Sequence, residues 1–449
     1  MRLQSLRLDP ARYRHFDLLI VGTGLAYLLL AGWAMANLRY DVWGVLVAMP
    51  LITAVLVPVV HYTFRDQPTL ARIAYVGLLA KACGTFARYW VAFDAYGGAA
   101  DAQAYHDFGR IYGEKLRTGA VPPWGLVPHG QGTRFIEHLT GAVYALTGAS
   151  KLGGFMWFSA IGFCGVLLCI KAATIAAPHL SIERYALLCC FSPSLVFWPS
   201  SVGKEAWMSM SLGLLTYGAA RLFATPQFLR PLAWAAAGAV GALVVRPHIA
   251  AVWLGAAVTA AVWSVVGSRT GRSNSRAVGA MVLAAGVVGL VIVGRIALQF
   301  LSQNDEAESL SAQLNNAFDL TLRRTAGGGS EFVPPSVASP LDYPFAVLRT
   351  LTRPLPFEVT GLSTLLPALE TTAIILLALF GFRRLMSLPS MLRRSPFTVM
   401  HLLVVVMGAL AYTSFSNLAI LVRQRSLLMP SLLFLLCLPP LTAPDRERR

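Results

Sequence analysis

Asp94, Asp101 and His106 crowd into one polar stretch of an otherwise apolar chain, and they are the side chains best suited to move a proton. Two of them lie in DAQAYHDFGRIYGEKL, residues 101–116, where Asp101, Tyr105, Phe108 and Tyr112 share one helical face. On the same stretch Asp107, Arg110 and Glu114 follow in steps of three and four and can pair. Basic residues recur at sequence-distant turns. Lys204 stands beside Glu205 in FWPSSVGKEAW, and Arg246 and His248 flank a proline in VRPH. Arg349, Arg353 and Glu358 come in LRTLTRPLPFE, and Arg423 and Arg425 in SNLAILVRQRSLLMP. Arg134 and His138 share a face of GTRFIEHLTGAVYALTG, with Glu137 adjacent. Singly, an arginine near a helix end snorkels to the membrane surface. Gathered in a partly desolvated pocket, guanidiniums bind phosphate or pyrophosphate through paired hydrogen bonds.

The elements that must position these groups are apolar helices. The chain has 449 residues, 56% of them hydrophobic and 13% charged, with a mean hydropathy of +0.61. That is too little polar surface for a soluble protein of this length. Apolar blocks of bilayer length predict about twelve spans, at 17–38, 42–63, 71–93, 153–174, 185–198, 203–223, 231–246, 248–266, 276–300, 362–382, 397–415 and 427–441. Pro247 divides the 231–266 block in two. The expected fold class is therefore an all-α polytopic integral membrane protein, one membrane domain over 1–449. It has two long segments between spans, 94–152 and 301–361, carrying interfacial helices.

The formal net charge of +16 is assigned to the positive-inside rule rather than to nucleic acid. Short loops rich in arginine, such as those holding Arg65, Arg72, Arg269, Arg272, Arg383 and Arg384, place both termini in the cytoplasm. The two long segments then face outward. Few basic residues belong on that side, yet Lys204, Arg246, Arg349, Arg353, Arg423 and Arg425 collect there. In this topology residues 199–205 form a tight outer hairpin, and the next helix starts near Ser200 and Ser201, both good capping types. Its positive end, beside Lys204, suits an anion; the plainer alternative is a capped helix bridged by Lys204 and Glu205.

Within the spans Lys81, Arg88 and Glu370 stand out, and a Lys81–Glu370 ion pair between helices is the conservative expectation. The six cysteines fall in apolar segments and read as packing residues. TAGGGSEF, residues 325–332, reads as a flexible loop, and no Walker, HExxH or CxxC motif occurs.

DAQAYHDFGRIYGEKL resembles the first-large-loop signature of polytopic GT-C glycosyltransferases, in which an outer Asp is followed a turn later by Tyr. PSLVFWPSSVGKEAW and the RQR…P ending are similar to bacterial envelope-polysaccharide membrane proteins, including Wzy-like polymerases. The resemblance implies Asp101 as the acceptor-activating base or a metal-facing acid, Tyr105 in the pocket wall, and Lys204, Arg423 and Arg425 on lipid phosphate. A divalent cation is the one cofactor it admits. Two departures weigh against a direct transfer of roles: the acid follows the third span rather than the first, and no paired acid stands beside Asp101.

The expected activity is glycosyl transfer from a polyprenyl-phosphate-linked sugar to a glycan, lipid or protein acceptor in cell-envelope biosynthesis. It would take place at the outer face of the inner (plasma) membrane. Asp101, then Asp94 and His106, supply acid/base candidates. Tyr105, Arg134, His138, Lys204, Glu205, Arg246, His248, Arg349, Arg353, Arg423 and Arg425 supply the binding set. A polysaccharide polymerase or ligase, leaning on arginine, and a transporter or flippase of lipid-linked glycan are the alternatives.

Overall fold

The structure is a computed structural model, and it describes residues 10–98, 101–267, 339–359 and 361–441, with shorter pieces between 284 and 335. Among these residues the chain is all-α; a single bridge, Glu331 with Asn417, is the only extended pairing. Four helices are long and apolar enough to cross a membrane: Tyr40–Thr63, Pro68–Ala95, Lys151–Ala176 and Pro247–Ser264. Two bent pairs raise the number to six. Thr364–Phe380 turns by 70° into Phe382–Arg394, and Leu418–Arg425 by 67° into Met429–Leu436. Val55, Leu79, Leu379 and Phe380 point outward from such helices, as expected of a protein solvated by hydrocarbon. The chain thus has the make-up of a membrane protein with four to six apolar spans among its described residues. Most of the expected span 276–300 lies outside them.

The described helices are α1 (Pro10–Asn37), α2 (Tyr40–Trp43), α3 (Val45–Thr63), α4 (Pro68–Trp90), α5 (Asp101–Arg117), α6 (Thr133–Thr147) and α7 (Lys151–Ala176). They continue as α8 (Ile182–Phe191), α9 (Pro193–Phe197), α10 (Lys204–Ala224), α11 (Leu229–Val245) and α12 (Pro247–Gly267). The last group is α13 (Tyr343–Thr352), α14 (Leu362–Phe380), α15 (Phe382–Leu385), α16 (Leu388–Arg394), α17 (Pro396–Ala411), α18 (Leu418–Arg425) and α19 (Met429–Leu436).

Helix α10 is the centre of the packing, pressed between α7 and α11. Small residues let the backbones meet: a Cβ at Gly165 of α7 would lie 2.1 Å from the Ser209 carbonyl oxygen, and one at Gly213 would lie 2.5 Å from the Gly165 oxygen. Helix α10 starts at Lys204 with Gly203 as its N-cap, not at Ser200 or Ser201. The Ser200 hydroxyl instead donates back to the Val196 carbonyl and meets Ser159 Oγ at 3.2 Å. Pro247 breaks the 231–266 block as expected, opening α12 and leaving Arg246 at the corner after α11.

The expected span 185–198 is broken at Ser192 and Pro193, since proline cannot continue a helix interior. This break also corrects the Lys81–Glu370 pair. Glu370 accepts from the Ser194 amide at 2.9 Å and from the hydroxyls of Ser192 and Ser194, at the start of α9. Lys81 donates to the Leu195 carbonyl at 2.7 Å, near the end of α9. Each charge compensates backbone groups freed by the break rather than the other charge.

Helices α5 and α6 pack on each other as a hairpin. The Asp107–Arg110–Glu114 ladder is replaced: both Asp107 oxygens accept from Gln103 at 2.9 Å. The stretch around 325–332 is not a free loop in its described residues. Ser330 donates to Asn417 Oδ1 at 2.9 Å, its carbonyl accepts from Leu418, and Phe332 donates to the Ser416 carbonyl. All six cysteines are free thiols; Cys169, Cys189, Cys190 and Cys437 are buried, whereas Cys83 is exposed.

Candidate functional site

Glu205 holds the site together. As the second residue of α10 it is carried into the interior by the α7–α10–α11 packing, and its carboxylate is buried. Such a charge needs strong partners. Arg246, at the α11–α12 corner, gives Nη2 at 2.7 Å from Oε1. Arg423, from α18, binds in a fork, Nε at 2.7 Å from Oε1 and Nη2 at 2.9 Å from Oε2. Its remaining arm, Nη1, lies 3.1 Å from Asp101 Oδ2 at the start of α5. Four elements remote in sequence are thereby tied at one place. Asn417 makes the last one possible: its side chain caps α18 by accepting from Ile420, which sets the helix that presents Arg423.

Two more cations stand close by. Lys204 is half-buried beside Glu205 and, among the described residues, forms neither a hydrogen bond nor an ion pair; the expected Lys204–Glu205 bridge is replaced by the two arginines. Arg88, from α4, is buried, its guanidinium 5.0 Å from the ring centres of both Phe197 and Trp198. Its Nε is buried without a partner, as is Nη1 of Arg246. Four cations therefore face two carboxylates here, and the surplus is positive.

A cavity of about 700 Å³ opens against this cluster. Arg88, Arg423, Asp101, Tyr96 and Ser201 contribute its polar wall, and Glu370 and Ser194 also reach it. Trp90, Phe197, Trp198, Leu366, Pro367 and Ile420 make up much of the rest. The volume is that of a site for a sizeable small molecule, with an apolar body and an anionic group as the matching chemistry.

The other expected residues divide into two groups. Tyr105 is buried under α5 within the field of the cluster; burial, then the Asp101 and Glu205 charges, push its hydroxyl up to about 12, so it remains neutral. His248 is half-buried beside Arg246 and Lys204. The rest go elsewhere. Asp94 is exposed on the turn after α4. His106 is on the side of α5 that meets α6, its Nδ1 2.9 Å from the Tyr144 hydroxyl and its Nε2 3.8 Å from Asp41. Burial lowers the His106 pKa against the pull of Asp41. Arg134 is exposed, and its carbonyl meets His138 Nδ1 at 2.8 Å; the His138 ring lies 3.7 Å from that of His129. Arg349 is exposed. Arg353 pairs with Glu358 and covers the Phe332 ring. Arg425 is fully buried and donates to the Leu351 carbonyl and to Thr371 Oγ1, each at 2.8 Å, joining α18 to α13 and α14.

Arg88, Trp198 and Tyr96 are among the cavity residues that the sequence did not assign to a site. Arg88 was visible as a lone cation in an apolar span; nothing in the chain pointed to the aromatic pair beneath it. Among the described residues no three His, Cys, Asp or Glu side chains gather as metal ligands. Asp101 itself fits a divalent cation poorly, because Arg423 holds one of its oxygens and Arg88 and Lys204 add like charge nearby. No protein-family model, curated protein or solved structure matches the chain.

Proposed function

We propose that the chain is a multi-pass glycosyltransferase of the plasma membrane, with about twelve spans and both termini in the cytoplasm. It transfers a sugar from a polyprenyl-phosphate or polyprenyl-pyrophosphate carrier to a glycan, lipid or protein acceptor at the extracytoplasmic face. One observation carries the reading: a large cavity with apolar walls ends at a cluster whose cations outnumber its acids, with a buried arginine that lacks a hydrogen-bond partner among the described residues, Arg88, in its wall. A greasy phosphoester satisfies both parts at once.

In the proposed reaction the acceptor hydroxyl oxygen bonds to the anomeric carbon as the bond from that carbon to the phosphate oxygen breaks. Asp101 takes the hydroxyl proton. Arg88 and Arg423 stabilise the charge left on the carrier phosphate. The test is incubation of the purified full-length protein with a radiolabelled polyprenyl-phosphate sugar and a lipid extract. Loss of label from the carrier and its appearance in a new product, both abolished in Asp101→Asn, supports transfer. The two helix pairs bent by 70° and 67° favour a second reading, movement of the same ligand across the membrane without chemical change. Label that crosses a vesicle bilayer still attached to its carrier would select that reading.

A further inference from the structure

Arg423 divides its guanidinium between two acids of different kinds. Nε and Nη2 bind the buried Glu205 carboxylate, which Arg246 shares. Nη1 makes a single contact of 3.1 Å with Asp101, whose side chain is 63% exposed. These contacts will not yield equally. A lone, water-exposed ion pair is weak, whereas stripping arginine from a buried carboxylate leaves a charge stranded in an apolar interior. An anion arriving through the cavity can therefore compete for one edge of Arg423 only, the edge Asp101 now holds.

Arg88 is the second half of that subsite. It lines the same cavity, is buried, and has no hydrogen-bond acceptor among the described residues. A phosphate has enough oxygens to engage two guanidiniums together. The Asp101 carboxylate, anchored on α5, bonds Arg423 alone.

We propose that Asp101 is a built-in competitor for an anion subsite made by Arg88 and the Nη1 edge of Arg423. Its carboxylate occupies the subsite in the free protein and is displaced when a lipid phosphate enters. The inference rests on the lipid-phosphate reading of the cavity. Its consequence is an order of events. While Asp101 is tied to Arg423, its Oδ2 is engaged by the guanidinium. Phosphate binding releases that oxygen to meet the acceptor hydroxyl. Water entering an empty cavity meets an engaged carboxylate; an acceptor hydroxyl entering after the donor meets a released one.

The experiment is calorimetric titration of full-length protein in detergent with farnesyl phosphate, with farnesol and inorganic phosphate as separate arms. Asp101→Asn should bind farnesyl phosphate about three- to fivefold more tightly than the unmodified protein, the size expected from an exposed ion pair. Asp107→Asn removes an exposed charge from the same helix that engages only Gln103, and should change affinity by less than about 1.5-fold. Arg88→Gln should weaken binding at least about tenfold in both backgrounds. Asp101→Ser repeats the test should the asparagine variant fold poorly. Equal or weaker binding in both Asp101 variants overturns the competitor and leaves the lipid-phosphate reading standing. An equal gain from Asp107→Asn also overturns it, since long-range charge would then suffice. Absence of farnesyl phosphate binding in every form overturns the reading and the inference together. Inorganic phosphate binding as tightly as farnesyl phosphate, with the same gain in Asp101→Asn, supports the competitor and removes the lipid from the reading.

Discussion

Glu205 and Glu370 are both buried carboxylates in apolar sequence, and they are satisfied in opposite ways. Glu205 is met by cations, Arg246 and Arg423, with Lys204 and Arg88 close by. Glu370 is met by neutral donors, the hydroxyls of Ser192 and Ser194 and one amide. The first arrangement brings together more positive charge than its acids cancel, and that surplus can attract a ligand. The second mends a broken helix, and the cation in its field, Arg425, is committed to the Leu351 carbonyl and Thr371. A buried charge in a membrane segment thus marks a site only where its partners leave something unsatisfied. Lys81 makes the same point from the other sign, since its ammonium is taken up by carbonyls of α9.

This contrast can be broken at each residue. Replacing Glu205 by Ala should have the largest effect, about 3–5 kcal/mol of lost stability, because Arg246 and Arg423 would face each other without the acid between them. The measurement is the thermal midpoint in detergent; an unchanged midpoint would show that the arginines do not need the carboxylate. Glu370→Gln should cost roughly 2 kcal/mol, the worth of a charge-assisted hydrogen bond, without loss of farnesyl phosphate affinity. A marked fall in affinity would move Glu370 from scaffold to site. Lys81→Met should cost about 1–2 kcal/mol by leaving the Leu195 carbonyl unpaired.

Arg88→Gln sharpens the comparison in the other direction. Its charge is buried without a hydrogen-bond partner, so its removal should leave the midpoint unchanged or raised while ligand affinity falls. Loss of stability together with affinity would make Arg88 structural, held by its stacking on Phe197 and Trp198. The smallest stability effect belongs to Asp101→Asn, within about 1 kcal/mol, since its ion pair is exposed. Proposed transfer should nevertheless stop in that variant.

Much of the frame could be read from the chain because it follows from local rules. The break at Pro247 and the amphipathic helix beginning at Asp101 depend on proline geometry and on helical periodicity, and both occur where expected. Arg423 and Arg425 show where such reading ends. They are two residues apart on α18, equally basic and both in its last turn before a proline-marked bend. A turn of 200° around the helix sends them to different surroundings. Arg423 reaches Glu205 and Asp101, whereas Arg425 secures the backbone ahead of α14. Likewise, Tyr105 and His106 are neighbours that α5 sends to different surroundings, one to the charged cluster and one to Tyr144.

Residue type and order alone were enough for an apolar, helical, membrane-type chain and for a shortlist of charged side chains, because hydrophobicity and helical period act over a few residues. Which charges meet was settled by the packing of α4, α5, α10, α11 and α18, which joins positions as far apart as Asp101 and Arg423. The physical reason is range: a carboxylate's partner is whatever cation the fold brings within about 3 Å, and nothing in the neighbouring sequence encodes that distance.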